Sequence, residues 1–212
     1  MVEWRGMELL INTFVALFIV IDPVGLAPLF IALTAGASAT LRRRMAINGT
    51  LLASGMLLLF YFGGSWLLRA LGIGMPAFRI AGGALLFLLA IDMVFARQSG
   101  MRSTTVREQR EAETKPDISV FPLAFPLIAG PGALTTVLLM SSSARGPLAF
   151  GTMLGVLVVI LILTLLALLY ASRIMRLLGE TGTNVISRLF GLILAALAVQ
   201  FVLDGIHGSF AS

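Results

Sequence analysis

The chain has 212 residues, of which 58% are apolar and only 12% charged, with a mean hydropathy of +1.02. Soluble domains carry about 25% charged residues, and a water-soluble fold this apolar exposes large hydrophobic patches, so the composition points to an all-α integral membrane protein. There is no cysteine and one histidine, His207, which leaves no disulfide, no thiolate or histidine metal centre and no sign of a cofactor, and the net charge of +5 follows from where the arginines fall rather than from a nucleic-acid partner.

A helix needs roughly 20 apolar residues to cross the hydrocarbon. Such long apolar runs must be helical, because every backbone polar group in lipid has to be satisfied within the protein. Six spans are predicted, at about 9–33, 46–68, 75–96, 119–142, 148–171 and 186–206. The first is longer than the apolar core of a signal peptide and lacks a clean cleavage site, so it reads as a span that is its own targeting signal.

The first span holds Asp22-Pro23-Val24-Gly25-Leu26-Ala27-Pro28 near its midpoint. Proline has no N–H and its ring clashes with the carbonyl four residues back, so Pro23 and Pro28 free the carbonyls of Ile19 and Val24. Two prolines with Gly25 between them predict a short unwound stretch, one half-helix ending near Ile21 and the next starting near Leu26. Asp22 is the only charged residue near a span centre, where a carboxylate costs about 2.5–3.5 kcal/mol. Two roles compete for it: a cap for the following half-helix, and a ligand for a substrate ammonium or a proton-coupling group.

Arg42 to Arg44 precede the second span and read as an anchor beside anionic lipid, with Asn48 near the same interface. Arg79 opens the third span and can snorkel to the interface, as can Arg188 in the sixth, and Asp92 lies near the third span's far end. Arg97 to Ile118 is the hydrophilic segment: nine of its residues are charged, against five in all six spans together. The fourth span contains a second break, Pro122-Leu123-Ala124-Phe125-Pro126 and then Ala129-Gly130-Pro131-Gly132-Ala133, with a new half-helix expected from about Ala133. Thr135 and Thr136 lie one turn beyond it, where they can face a cavity or bond back to their own helix. Gly151 and Gly155 in the fifth span form a small-residue face for close packing, inside the bundle or between protomers of a homo-oligomer. Gln200 in the sixth reads as helix–helix glue.

Arg42 to Arg44, the arginines of 97–118, Arg173 and Arg176 fall on one side of six spans, and Arg5, Arg69 and Arg145 on the other. The positive-inside rule makes the first side cytoplasmic and puts both termini outside.

The two halves also resemble each other. Leu68-Arg69-Ala70-Leu71-Gly72 matches Met175-Arg176-Leu177-Leu178-Gly179 at an offset of 107, and Arg79 to Gly82 matches Arg188 to Gly191 at 109. Pro23 and Pro131 differ by 108, so the breaks keep the same register. The whole chain 1–212 reads as one transmembrane domain: repeat one at about 7–96, a charged cytoplasmic loop at about 97–118, and repeat two at about 119–207. With three spans each, the halves enter from opposite sides, giving an inverted repeat with helices 1 and 4 discontinuous at mid-membrane, an arrangement that recurs in secondary transporters.

Asp22 to Phe30, followed by Leu33-Thr34, resembles the first signature of the MarC family of membrane proteins, and Phe121 to Ala133 resembles the second. The likeness extends over essentially the whole chain, and the Asp-Pro-x-Gly form at Asp22 to Gly25 resembles the SnatA-like branch; Leu26 departs from it, standing where many relatives carry Asn. The resemblance implies a multi-pass inner-membrane transporter of small neutral amino acids such as glycine and alanine. The expected substrate-binding residues are Asp22, Pro23, Val24 and Gly25 with Ala129, Gly130, Pro131, Gly132, Ala133, Thr135 and Thr136, with coupling to protons or sodium. The alternatives are an exporter or channel for other small solutes, and a non-transporting scaffold or regulatory protein. An enzyme is disfavoured, because the span interiors hold no Ser/His or paired-acid set.

Overall fold

The computed structural model describes residues 2–95, 117–144 and 146–210, with the backbone alone for 2–9. Most of the charged segment, 97–116, lies outside the described residues, as does Arg145. All regular structure among the described residues is helical: α1 (Val2–Ile21), α2 (Pro23–Leu33), α3 (Ala39–Ala70), α4 (Met75–Phe95), a segment of wide π-type turns labelled α5 (Ser119–Ile128), α6 (Pro131–Ser143), α7 (Pro147–Leu169) and α8 (Ala171–Phe210). Five apolar runs, Leu10–Leu33 included, are long enough to cross a bilayer, and α5 with α6 makes a sixth if that bent pair is one span.

The predicted spans correspond to these helices, and three extend well beyond them. The second reaches back to Ala39, where the Ser38 hydroxyl accepts the Leu41 N–H at 3.2 Å and caps the helix. The first turn of α8 starts at Ala171 and is separated from the predicted span by Gly179, at φ 64°. That left-handed conformation favours glycine because no Cβ meets the carbonyl. Gly72, just past the end of α3, also lies at positive φ, 68°.

Leu17, Ile21, Phe30, Leu57, Leu86, Leu123, Ile128 and Ile160 are almost wholly buried and make one core. The outward faces carry Leu51, Leu59, Trp66, Ile162 and Leu192, all well exposed. In water such a surface is an aggregation hazard; around a helical bundle of this length it is the surface lipid requires.

The tightest helix contact is the antiparallel seam of α4 with α8. Gly205 faces Ile80 and the Pro76 carbonyl, Gly83 faces Val202 and the Ala198 carbonyl, and Gly191 faces Met93 and the Ala90 carbonyl. Small residues let backbones approach closely where lipid provides no hydrophobic drive between helices. The expectation of close packing inside the bundle at Gly151 and Gly155 is not met: a Cβ built on either has nothing within 4 Å. Sequence spacing finds a smooth helix face but not what stands opposite it. Gly151→Ala and Gly155→Ala are therefore expected to hold or raise the detergent thermal midpoint, since Ala gains up to about 1 kcal/mol over Gly in a helix.

Candidate functional site

The first break is one residue long. Asp22 adopts φ 50° and ψ 66° between α1 and α2, and Pro23 takes the first helical position. Proline suits that position because its φ is already helical and the missing N–H has no partner to lose. The half-helix thus starts at Pro23, not near Leu26, and Pro28 lies inside α2. The reason is the cap: the Asp22 Oδ1 accepts the Gly25 N–H at 3.0 Å, and its carbonyl accepts the Leu26 N–H at 3.0 Å, so the chain re-enters the helix at once. At the other end of α2, the Arg42 guanidinium donates to the Thr34 carbonyl at 3.2 Å, a use for that arginine beyond lipid anchoring.

Asp22 is 1% exposed, and its second oxygen, Oδ2, accepts the Ser187 hydroxyl of α8 at 3.0 Å. The carboxylate is thereby held between the two halves of the chain. Gly25 is required here for space: a Cβ on it would overlap the Asp22 carboxylate and stand 2.6 Å from the Ser187 oxygen. Nearby, Phe18 of α1 meets Phe190 of α8 edge to face at 5.7 Å.

The second break lies between α5 and α6, whose axes bend by 56°. Phe121 (φ −137°, ψ 127°) and Phe125 (φ −130°, ψ 130°) are extended, the conformation that a following proline imposes by clashing with the preceding residue. Their bonds to Pro122 and Pro126 are cis. The turns between them use wide bonds, Leu123 N–H to the Ile118 carbonyl at 3.2 Å and Ala129 N–H to the Ala124 carbonyl at 2.9 Å. Gly130, extended at ψ 171°, then leads into α6 at Pro131, two residues earlier than expected, with no side chain capping it. A Cβ on Gly130 would overlap the Pro126 carbonyl. Below α5, Asp117 accepts the Ser119 hydroxyl and N–H, which hold its carboxyl below the usual range.

Gly130, Pro131, Gly132 and Ala133 share a cavity with Pro126, Val20 of α1 and Leu89 of α4. Its volume is about 10 Å³, room for roughly one water molecule. Gly132 turns toward Leu89, Leu86 and Val20, where a Cβ would stand 2.9, 3.3 and 3.5 Å away. The ends of the two broken helices are therefore neighbours. The other expected site residues do not line this cavity. Asp22, Pro23, Val24 and Gly25 form the cap on the α8 side, and Ala129 is fully buried in the core. Thr136 donates to the Gly132 carbonyl at 2.8 Å, so its hydroxyl serves its own helix, and the Thr135 methyl packs on Gly82 of α4. Ser187 escaped sequence reasoning because it is 165 positions from Asp22 and looks like one small residue in an apolar helix. Its only signal is that a hydroxyl in a span needs a partner.

A multi-span helical bundle with an apolar perimeter, broken helices and a buried carboxylate defines an integral membrane protein. The chain belongs to the MarC family of integral membrane proteins, whose family model matches residues 7–210. It is 35% identical over 201 residues to the UPF0056 membrane protein YvbG of Bacillus subtilis, covering 95% of each chain. It is 37% identical over 205 residues to the UPF0056 inner membrane protein YhgN of Escherichia coli, covering 95% of this chain and 98% of that one. An archaeal relative, the UPF0056 membrane protein MJ1677 of Methanocaldococcus jannaschii, is 35% identical over 207 residues, covering 96% and 98%. No solved structure matches the chain.

Proposed function

We propose that the chain is a secondary transporter of small neutral amino acids in the inner membrane, working by alternating access at the paired breaks. The observation that carries this reading is that the last turn of α1, at Val20, and the second break, from Pro126 to Ala133, line one cavity, so the two interrupted spans are neighbours. The helix start at Pro131, which no side chain caps, brings N–H groups and partial positive charge suited to a carboxylate. The end of α1 brings carbonyls suited to an ammonium, and Asp22 adds a negative charge beside them. Small side chains suit a small ligand. A cavity of about 10 Å³ holds no amino acid, so binding requires the two breaks to part, as a rocking motion of two halves provides.

An inverted repeat supports such a motion. The third helices of the two halves, α4 and α8, run antiparallel, and the matched glycines Gly72 and Gly179 both take positive φ, 68° and 64°. On this reading both termini lie outside the cytoplasm and Asp22 is the group for proton coupling. The test is uptake of radiolabelled alanine into proteoliposomes of the full chain. Saturable flux, competed by glycine, is expected; flux equal to that of empty vesicles sinks the proposal, and flux linear in concentration replaces it with a pore.

A further inference from the structure

Away from the breaks, a second cavity of about 320 Å³ opens at one end of the bundle, within the roughly 300–1,000 Å³ of ligand pockets. It lies beside the middle of α1, where α4 begins, where α6 ends and near the end of α8, away from the end that carries Arg42 and Arg43. Its polar lining is Asn12, Thr13, Arg79, Ser143, Gln200 and Asp204. Five helices contribute to its wall, and two of them, α1 and α6, also carry the breaks. Ala16 in its lining precedes Asp22 by six residues, about 9 Å along the helix at 1.5 Å per residue.

The two charges are of opposite sign and sit on facing helices, Arg79 on α4 and Asp204 on α8. Arg79 donates to the Ser143 hydroxyl at 3.1 Å, and Gln200 donates its amide N–H to Asp204 at 2.7 Å. Among the described residues they do not pair with each other. A guanidinium offers five donors and a carboxylate about four acceptor sites, so both keep capacity beyond those bonds. A single arginine at a span's end is explained by snorkelling to the interface. Snorkelling does not explain an arginine and an aspartate lining one cavity from two helices.

We propose that this cavity is the capture site for a zwitterionic amino acid on the face opposite Arg42 and Arg43. The Arg79 guanidinium takes the carboxylate and Asp204 the ammonium. Asn12 and Gln200 supply further hydrogen bonds. The ligand is held here before the breaks part. The substrate class rests on the transport reading above, whereas the site rests on its own charges and volume.

The experiment has two arms, both on the full chain. In uniformly oriented proteoliposomes, alanine flux is measured against concentration from each face. R79Q and D204N are each expected to raise KM tenfold or more from the cavity face and to leave it within twofold from the other. R79K and D204E, which keep the charges, are expected to stay within threefold. In detergent, the thermal midpoint is read with alanine, with alaninamide, which lacks the carboxylate, and with N-acetylalanine, which lacks the ammonium. Wild type should be stabilised by alanine above both analogues, with D204N losing the preference over N-acetylalanine and R79Q that over alaninamide. Wild-type flux with an unchanged cavity-face KM in both variants overturns the capture site and leaves the transport reading standing. Alanine preference in detergent without flux overturns transport and keeps the site. Equal response of the wild type to all three compounds overturns the site even where a variant fails to fold.

Discussion

Asp22→Ala is expected to cost the protein most of its stability margin, while Asp22→Asn keeps the fold and, on the transport function proposed above, loses flux. Alanine fails in three ways at this position. It has no side chain to accept the Gly25 N–H, and loss of a helix cap costs about 0.5–2 kcal/mol. It leaves the half-buried Ser187 hydroxyl without its acceptor, a loss below the roughly 1–3 kcal/mol of a fully buried group. It also has to hold φ 50°, a left-handed conformation costing about 1–2 kcal/mol for an ordinary residue. These effects share one site and do not sum, but the drop in folded yield and thermal midpoint in detergent should be large. Asparagine tolerates left-handed geometry, caps as well as aspartate, and can meet Ser187 with its amide. It also removes a buried charge whose insertion cost is about 2.5–3.5 kcal/mol. If capping were all that Asp22 did, the neutral residue would serve at lower cost. Alanine flux in Asp22→Asn is therefore expected to fall at least tenfold at unchanged thermal midpoint. Full flux would reduce Asp22 to a cap and remove it from the substrate site.

The second large effect is expected at the α4–α8 seam. A Cβ on Gly83 would stand 2.7 Å from the Ala198 carbonyl oxygen, 2.7 Å from a Val202 methyl and 3.1 Å from the Val202 nitrogen. Two of those atoms are backbone and cannot rotate away. Overpacking of this kind costs about 1–3 kcal/mol for small additions, and leucine adds far more than a methyl. Gly83→Leu should abolish the monodisperse peak on size exclusion in detergent. Gly63→Ala is the control, because a Cβ there meets nothing within 4 Å. Equal behaviour of the two variants would mean that the seam is not close-packed.

Both chain breaks were legible in the sequence because proline and glycine act locally. Pro23 and Pro131 cannot continue a preceding helix, and their positions predicted where α2 and α6 begin to within three residues. The error has one cause in each case: the helix restarts at proline itself, whose φ is already helical. Partners across the bundle were not legible. Arg79 reads as an interfacial anchor until Asp204 is found lining the same cavity, and no spacing rule links residues 125 positions apart. Gly83, Gly191 and Gly205 look no more significant than Gly151 and Gly155 until the backbone carbonyls facing them are seen. Alternation and composition fix which face is apolar; they do not say which neighbour it meets.

The cavity between the breaks has an electrical consequence. A membrane that stores energy as an ion gradient holds about 2.3 kcal/mol per charge for each 100 mV, and any continuous polar path across it drains that store. The breaks open the polar backbone at the centre of the bundle, where insulation matters most. Val20, Leu86 and Leu89 close over Gly132 from two other helices and leave room for about one water, with a cavity of about 10 Å³. On the transport reading proposed above, these three aliphatic side chains are the dielectric seal of the closed state, keeping the backbone at the second break from acting as an ion leak.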